Sequence, residues 1–150
     1  MLDSTKPGLE PALAFLRELW ALNHALGSTS KRMHDRIGVT AQQRMVLRFL
    51  GKRPGITASD LAEILHLERG TLSQALKRLE EKGLISRRSD PSDLRKTFIR
   101  LSKKGAQLDT PTIGTVERAV DRTLKEASEG DVEIVRRFLH RLRHHLGGAT

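Results

Sequence analysis

Two short runs of this sequence carry side chains suited to holding a polyanion. The first is Arg69, Gly70, Thr71, Ser73, Gln74, Lys77 and Arg78. On a helix these positions fall off the apolar stripe Leu72, Ala75, Leu76 and Leu79, so they share an outward face. Arginine can pair bidentately with guanine and glutamine with adenine, while a threonine methyl can meet thymine. Lys77 and Arg78 lie further along, where phosphate is the natural partner. The second run is Arg88, Asp93, Arg95 and Lys96 around the turn Ser89-Asp90-Pro91-Ser92-Asp93. An arginine held by a carboxylate near a hairpin tip is pre-aimed, and a narrow minor groove attracts such a group. Taken singly, the first run fits a solvated helix face and the second a salt-bridged turn. Their succession behind a pair of short helices is what favours nucleic acid.

Other chemistries find less support. No phosphate-binding glycine loop and no nucleophile-elbow serine is present, so the chain reads as no enzyme and calls for no cofactor. Of the six histidines, His140 and His144 stand four apart with His145 adjacent. That spacing can share a metal, but Glu133 is almost two turns back, so solvated or interface histidines are the better reading and no metal site is assigned. Cysteine is absent, which excludes disulfides, thiolate ligands and thiol redox sensing. No apolar run is long enough to span a bilayer, and the opening MLDSTKPGLE lacks the layout of a signal peptide. A cytoplasmic location follows by default.

The charge agrees with the site. Among 150 residues the formal net charge is +9, and between Glu68 and Lys104 eleven bases face five acids. So basic a segment favours a polyanionic partner. A composition 37% hydrophobic and 30% charged suits a globular protein.

The elements that must position these residues can be read in order. Met1 to Gly8 is polar with Pro and Gly and reads as a frayed arm. Pro11 opens a helix with Leu13, Phe15, Leu16, Leu19, Trp20, Leu22 and Leu26 on a broad apolar face, and Gly27 to Ser30 predicts a kink or break. Thr40 and Gln43 form a capping box for a helix with Val46, Leu47 and Leu50 inside, ending at Gly51. Thr57 caps a third helix carrying Leu61, Ala62, Ile64 and Leu65. Leu67 to Gly70 turns into the fourth, which Gly83 stops. Leu84 to Arg88 and Thr97 to Leu101 alternate as two strands. Ser102 caps a fifth helix, broken near Asp109-Thr110 by Pro111. A last helix follows Gly130-Asp131, with Val132, Val135, Leu139, Leu142 and Leu146 spaced as the seam of packed partner helices. The expected fold is mainly α: a winged helix-turn-helix with N- and C-terminal helices forming a dimerisation layer.

Leu61-Ala62 to Leu65, Gly70-Thr71-Leu72-Ser73, Leu79-Glu80-Glu81-Lys82-Gly83-Leu84-Ile85, Arg88 to Arg95 and Leu101-Ser102-Lys103-Lys104-Gly105 together resemble the MarR family of bacterial transcription regulators. The Asp-x-Arg of the wing and the Leu-Ser-x-x-Gly after it are specific in combination. The resemblance covers Leu13 to Gly105 by motif and the last helices by layout. It implies an obligate homodimer, two winged modules reading a palindromic operator, and Arg95, paired with Asp93, entering the minor groove. It implies a ligand-responsive repressor; the alternatives are a constitutive nucleoid-type DNA binder and, less favoured, a zinc-responsive regulator. An RNA binder is disfavoured by the scarcity of stacking aromatics, with no Tyr and one Trp, and by the presence of a wing. Glu68 departs from a frequent serine cap, and Leu94 from a frequent polar residue.

On this reading residues 1–38 are an arm and dimerisation helix, 39–104 the DNA-binding domain, and 105–150 the C-terminal dimerisation helices. The dimer interface takes Leu13, Leu16, Val132, Val135, Leu139, Leu142 and Leu146. The resemblance also implies an effector pocket lined by the first two helices and the fifth. Its candidates are Trp20, Asn23, His24, His34 and Arg44, with Arg44 a cation for a small aromatic or anionic ligand. Each of these also fits an ordinary core or solvated role.

Overall fold

The computed structural model describes residues 10–147, so the proposed arm at Met1 to Gly8 lies outside the described residues. The chain divides into two compact units, one through Thr115 and one from Val116 onward.

In the first unit, α1 (Pro11–Ile37) runs unbroken through the segment where a kink was expected. A mid-helix glycine costs about 1 kcal/mol relative to alanine, too little to stop a helix that continues through Lys31, Arg32 and Met33, the last of them buried. The helix ends where Gly38 adopts φ 76° and its N–H reaches the His34 carbonyl. Helix α2 (Ala41–Lys52) carries the expected box: Thr40 accepts from the Gln43 N–H, and the Gln43 side chain accepts from Thr40 N–H. Thr57 caps α3 (Ala58–Leu65) by accepting from Asp60 N–H.

After α3 the chain turns at His66, held at φ 52°, and enters α4 (Arg69–Glu81). Gly83, at φ 70°, redirects it into the sheet. Strand β1 (Ile56–Thr57) precedes α3, while β2 (Ile85–Ser89) and β3 (Thr97–Leu101) form the hairpin. The sheet is antiparallel in the order β1-β3-β2, with Ile56 opposite Ile99 and Arg88 opposite Phe98. The short β1 was not foreseen, because two residues carry no periodicity. Helix α5 (Lys103–Leu108) starts at the Ser102 cap and ends before Asp109, at the break that Pro111 predicted.

The core sits between α2, α3, α4 and the inner sheet face. Val46, Leu47, Leu50, Leu61, Leu72, Leu76, Leu79, Leu84, Ile85 and Ile99 are all buried in it. Each such side chain contributes about 1.5–3 kcal/mol relative to exposure. Lys82 ties the end of α4 to the start of α2, donating to the Gly38 carbonyl at 2.6 Å and to Gln43 Oε1 at 3.2 Å.

The second unit holds α6 (Val116–Glu126) and α7 (Glu129–Gly147). Helix α7 starts slightly earlier than its glycine suggested, because Ser128 accepts from Asp131 N–H and donates to its carboxylate. No residue of either helix is buried.

Candidate nucleic-acid interface

The outward face of α4 is assembled by burial of its other face. Leu72, Ala75, Leu76 and Leu79 enter the core, which leaves Arg69, Gly70, Thr71, Ser73, Gln74, Lys77 and Arg78 exposed. The side chains of Arg69, Thr71, Ser73, Gln74, Lys77 and Arg78 make no hydrogen bond or ion pair with other described residues. Their donors and acceptors are open to a ligand. Glu68 stands at the N-cap with no side-chain cap bond, so the departure from a serine cap leaves the first amides of α4 without that partner.

The wing is built from its tip. Asp90 Oδ1 accepts from the Ser92 N–H at 2.8 Å and the Ser92 hydroxyl at 2.7 Å. Asp93 Oδ1 accepts from Arg95 N–H and from Arg95 Nε, both at 3.1 Å. The Asp93 side chain is 30% exposed and that of Arg95 92%, so a partly shielded carboxylate steers a solvent-facing guanidinium. Hydrogen bonds from Arg95 hold Asp93 below its ordinary carboxylate pKa, and those from Ser92 do the same for Asp90. A lowered pKa means the pair is formed above the ordinary value and lost only as pH falls through the lowered one. The steering contact is therefore intact at neutral pH. Lys96 and Arg88 are exposed beside it, and Leu94 is 78% exposed at the tip.

Arg87, which sequence reasoning passed over, anchors the wing to α4. Its Nε and Nη2 both donate to Glu80 Oε2, at 2.9 and 2.5 Å. An ion pair thus ties the recognition helix to the hairpin. Seven residues separate the pair, and only the turn at Gly83 brings them together.

Of the proposed effector residues, four are exposed on α1 and one is buried against another element. Trp20 is 66% exposed, and Asn23, His24 and His34 are also exposed on α1. Arg44 differs: it is 1% exposed, and its guanidinium donates to the Leu108 carbonyl at 2.8 Å and the Thr110 carbonyl at 2.6 Å. The cation assigned to a ligand is committed to the C-terminal end of α5, where carbonyls lack helical partners and the dipole favours positive charge. Arg48 adds an ion pair to Asp109 at 2.7 Å, and Arg36 donates to the Ile113 carbonyl. Three arginines from α1 and α2 therefore hold the connector that follows α5. Among the described residues no three His, Asp or Glu side chains gather as a metal would require. His140 instead lies beside Arg143, Nδ1 to Nη2 at 3.2 Å.

Of the expected interface residues, Leu13 and Leu16 lie on α1 and Val132, Val135, Leu139, Leu142 and Leu146 on α7. Leu16, Val132 and Leu142 are half-buried and the others exposed. Among the described residues no helix is long and apolar enough to cross a membrane.

Comparison with known proteins agrees with this architecture. The MarR family model matches residues 37–96. The organic hydroperoxide resistance transcriptional regulator of Bacillus subtilis is 34% identical over 113 residues, covering 75% of this chain and 71% of that protein. The crystal structure of the transcriptional regulator SlyA is 28% identical with a TM-score of 0.70, covering 88% of this chain and 93% of that one. The S. aureus MepR–DNA complex shares the fold at 23% identity and a TM-score of 0.72, covering 88% of this chain and 97% of that one. With a winged module of this geometry and a relative this similar over most of both chains, the protein belongs to the MarR family of transcriptional regulators and is not an enzyme.

Proposed function

We propose that this regulator is a cytoplasmic homodimer that binds a palindromic operator in duplex DNA and represses from it until a small ligand binds. The observation that carries the DNA reading is the unpaired, exposed face of α4, tied through Glu80 and Arg87 to a wing whose Arg95 is aimed by Asp93. Two such modules on a two-fold axis demand half-sites about one helical turn apart. In functional terms the division 1–38, 39–104 and 105–150 stands as the working one, with the middle segment reading DNA and the flanks pairing two copies.

The test is fluorescence anisotropy with a duplex selected from a random pool. Gln74→Ala should relax base preference at one position of each half-site, at about 1–3 kcal/mol per lost contact. Arg95→Ala should weaken binding across sequences instead, because a groove charge is lost and no base edge is unread. Equal wild-type affinity for selected and random duplex at physiological salt would replace this reading with a constitutive nucleoid-type binder.

For the ligand, the proposed class is small, mostly apolar and aromatic or anionic, seated against α1 at Trp20, Asn23 and His24; His34, about 21 Å further along the same helix, is beyond its reach. Arg44, buried and donating to the Leu108 and Thr110 carbonyls, is not its counter-ion. The Bacillus subtilis relative is named for organic hydroperoxide resistance, but these 150 residues hold no cysteine. The response proposed here therefore runs through non-covalent binding rather than thiol oxidation. Such a ligand must prefer the DNA-incompetent state by several kcal/mol to empty the operator. An aromatic-acid screen by thermal shift should give hits that release DNA and that Trp20→Ala weakens. Hits equally strong in that variant would remove this face from consideration.

A further inference from the structure

Several arginines of the first unit are committed to partners within it. Arg36, Arg44, Arg48, Arg87 and Arg95 each bond to a carbonyl or carboxylate. Arg88 and Arg100 make no hydrogen bond or ion pair with other described residues. Strand alternation puts both on one surface: Ile85 and Ile99 point into the core, so Ser86, Arg88, Phe98 and Arg100 face outward. Arg88 is directly opposite Phe98, and Ser86 is opposite Arg100. The two guanidiniums are therefore diagonal neighbours, with stems about 7–8 Å apart.

This outer face is one wall of a groove of about 840 Å³, and the Pro54-Gly55 turn is the other. The turn is fixed there. Gly55 sits at φ 78° and donates to the Ile99 carbonyl at 3.1 Å. A Cβ at Gly55 would stand 3.3 Å from Arg100 Nη2, so the turn's backbone backs the guanidinium closely. Asp90 lies at the end of the groove, but its carboxylate is engaged by Ser92 rather than by either arginine.

We propose that this groove is a second contact for DNA backbone, in which Arg88 and Arg100 take phosphates of the duplex flanking each half-site. The inference rests on the DNA-binding reading above. Two unpaired guanidiniums in an open groove match phosphate oxygens, which they can bind bidentately. Their separation along the face suits a run of phosphates better than one small anion. The groove also continues the wing. Helix α4 packs against the inner side of β2 through Glu80 and Arg87, so a wing with its tip in the minor groove turns its outer face toward duplex on the side away from α4. Contacts of this kind add affinity and position without sequence information.

The experiment compares a selected duplex ending at the wing contact with the same duplex extended by one helical turn on each side. Wild type should bind the longer duplex more tightly and with a steeper salt dependence, by about 0.9 in slope for each added phosphate contact. Arg100→Gln, one change per protomer and two per dimer, should lower the slope on the long duplex by about 2 and its affinity on the order of tenfold. The same variant should bind the short duplex as wild type does and melt at the wild-type temperature. Arg100→Lys should retain most of the salt slope. Flanks that add nothing to wild-type binding would overturn the proposal, as would an Arg100→Gln loss equal on both duplexes. Failure of wild type to bind either duplex would overturn the DNA reading as well, and is distinguishable from the other two.

Discussion

Gly105→Ala should cost the winged module about 3 kcal/mol or more and lower its melting temperature on the order of 10 °C. Gly105 is buried at the start of α5, and a Cβ built on it would lie 2.0 Å from the Leu84 carbonyl oxygen and 3.0 Å from its carbon. The obstacle is backbone, so no rotamer change relieves it. Moving Leu84 is costly for two reasons. Its side chain is in the core, and its carbonyl accepts the Ser102 N–H at 2.9 Å. Ser102 in turn caps α5 by accepting from Gly105 N–H at 3.0 Å and donates its hydroxyl to the Gly83 carbonyl at 2.6 Å. One methyl therefore pushes on the cap, the strand entry and the end of α4 together. Gly27→Ala is the control. Nothing lies within 4 Å of a Cβ there and the site is mid-helix, so that change should stabilise by about 0.5–1 kcal/mol. Chemical denaturation of both variants reads the difference directly. A Gly105→Ala protein as stable as wild type would mean that the strand–helix junction is not packed as described.

The second large effect is expected from Leu139→Asp combined with Leu142→Asp. Helix α7 buries no residue within its own chain, and Val135, Leu139 and Leu146 are 55%, 44% and 77% exposed. Helix α1 likewise leaves Leu13, Trp20, Leu22 and Leu26 exposed. An apolar stripe left exposed along a helix marks an interaction site, and the proposed occupant is a second copy. A carboxylate placed in such a contact must be desolvated without a partner, at a cost of several kcal/mol. Two-fold symmetry doubles it. Sedimentation at micromolar concentration should show the wild type as a dimer and the variant as a monomer. Operator affinity should fall at least on the order of a hundredfold, since two half-sites are no longer engaged by one linked particle. An unchanged sedimentation coefficient in the variant would remove α7 from the interface.

Most of the winged module was legible in the chain because its signals are local. Thr40 with Gln43, Thr57 with Asp60 and Ser102 with Gly105 each close a bond over three residues. Gly83 stops α4 for a reason contained in its own backbone, a φ of 70°. The exposed set on α4 follows from a stripe with helical period, and the Asp93–Arg95 pair spans two residues. The Ser128 to Asp131 cap is equally local and starts α7 one residue before the glycine between them.

What the sequence could not determine is where a side chain goes once the chain has folded back. Arg44 looks like a surface cation on an amphipathic helix, yet its partners lie 64 and 66 residues away. Strand β1 exists only because Ile56 and Thr57 meet Ile99 and Phe98. Arg87 and Arg88 are adjacent in sequence and identical in type, but strand alternation sends one to Glu80 and leaves the other unpaired on the outer face. Local bonds select the elements, because they form whatever the distant chain does. The destination of the buried Arg44 was decided by tertiary structure, because an orphaned carbonyl at a helix end becomes available only after that end is packed against it.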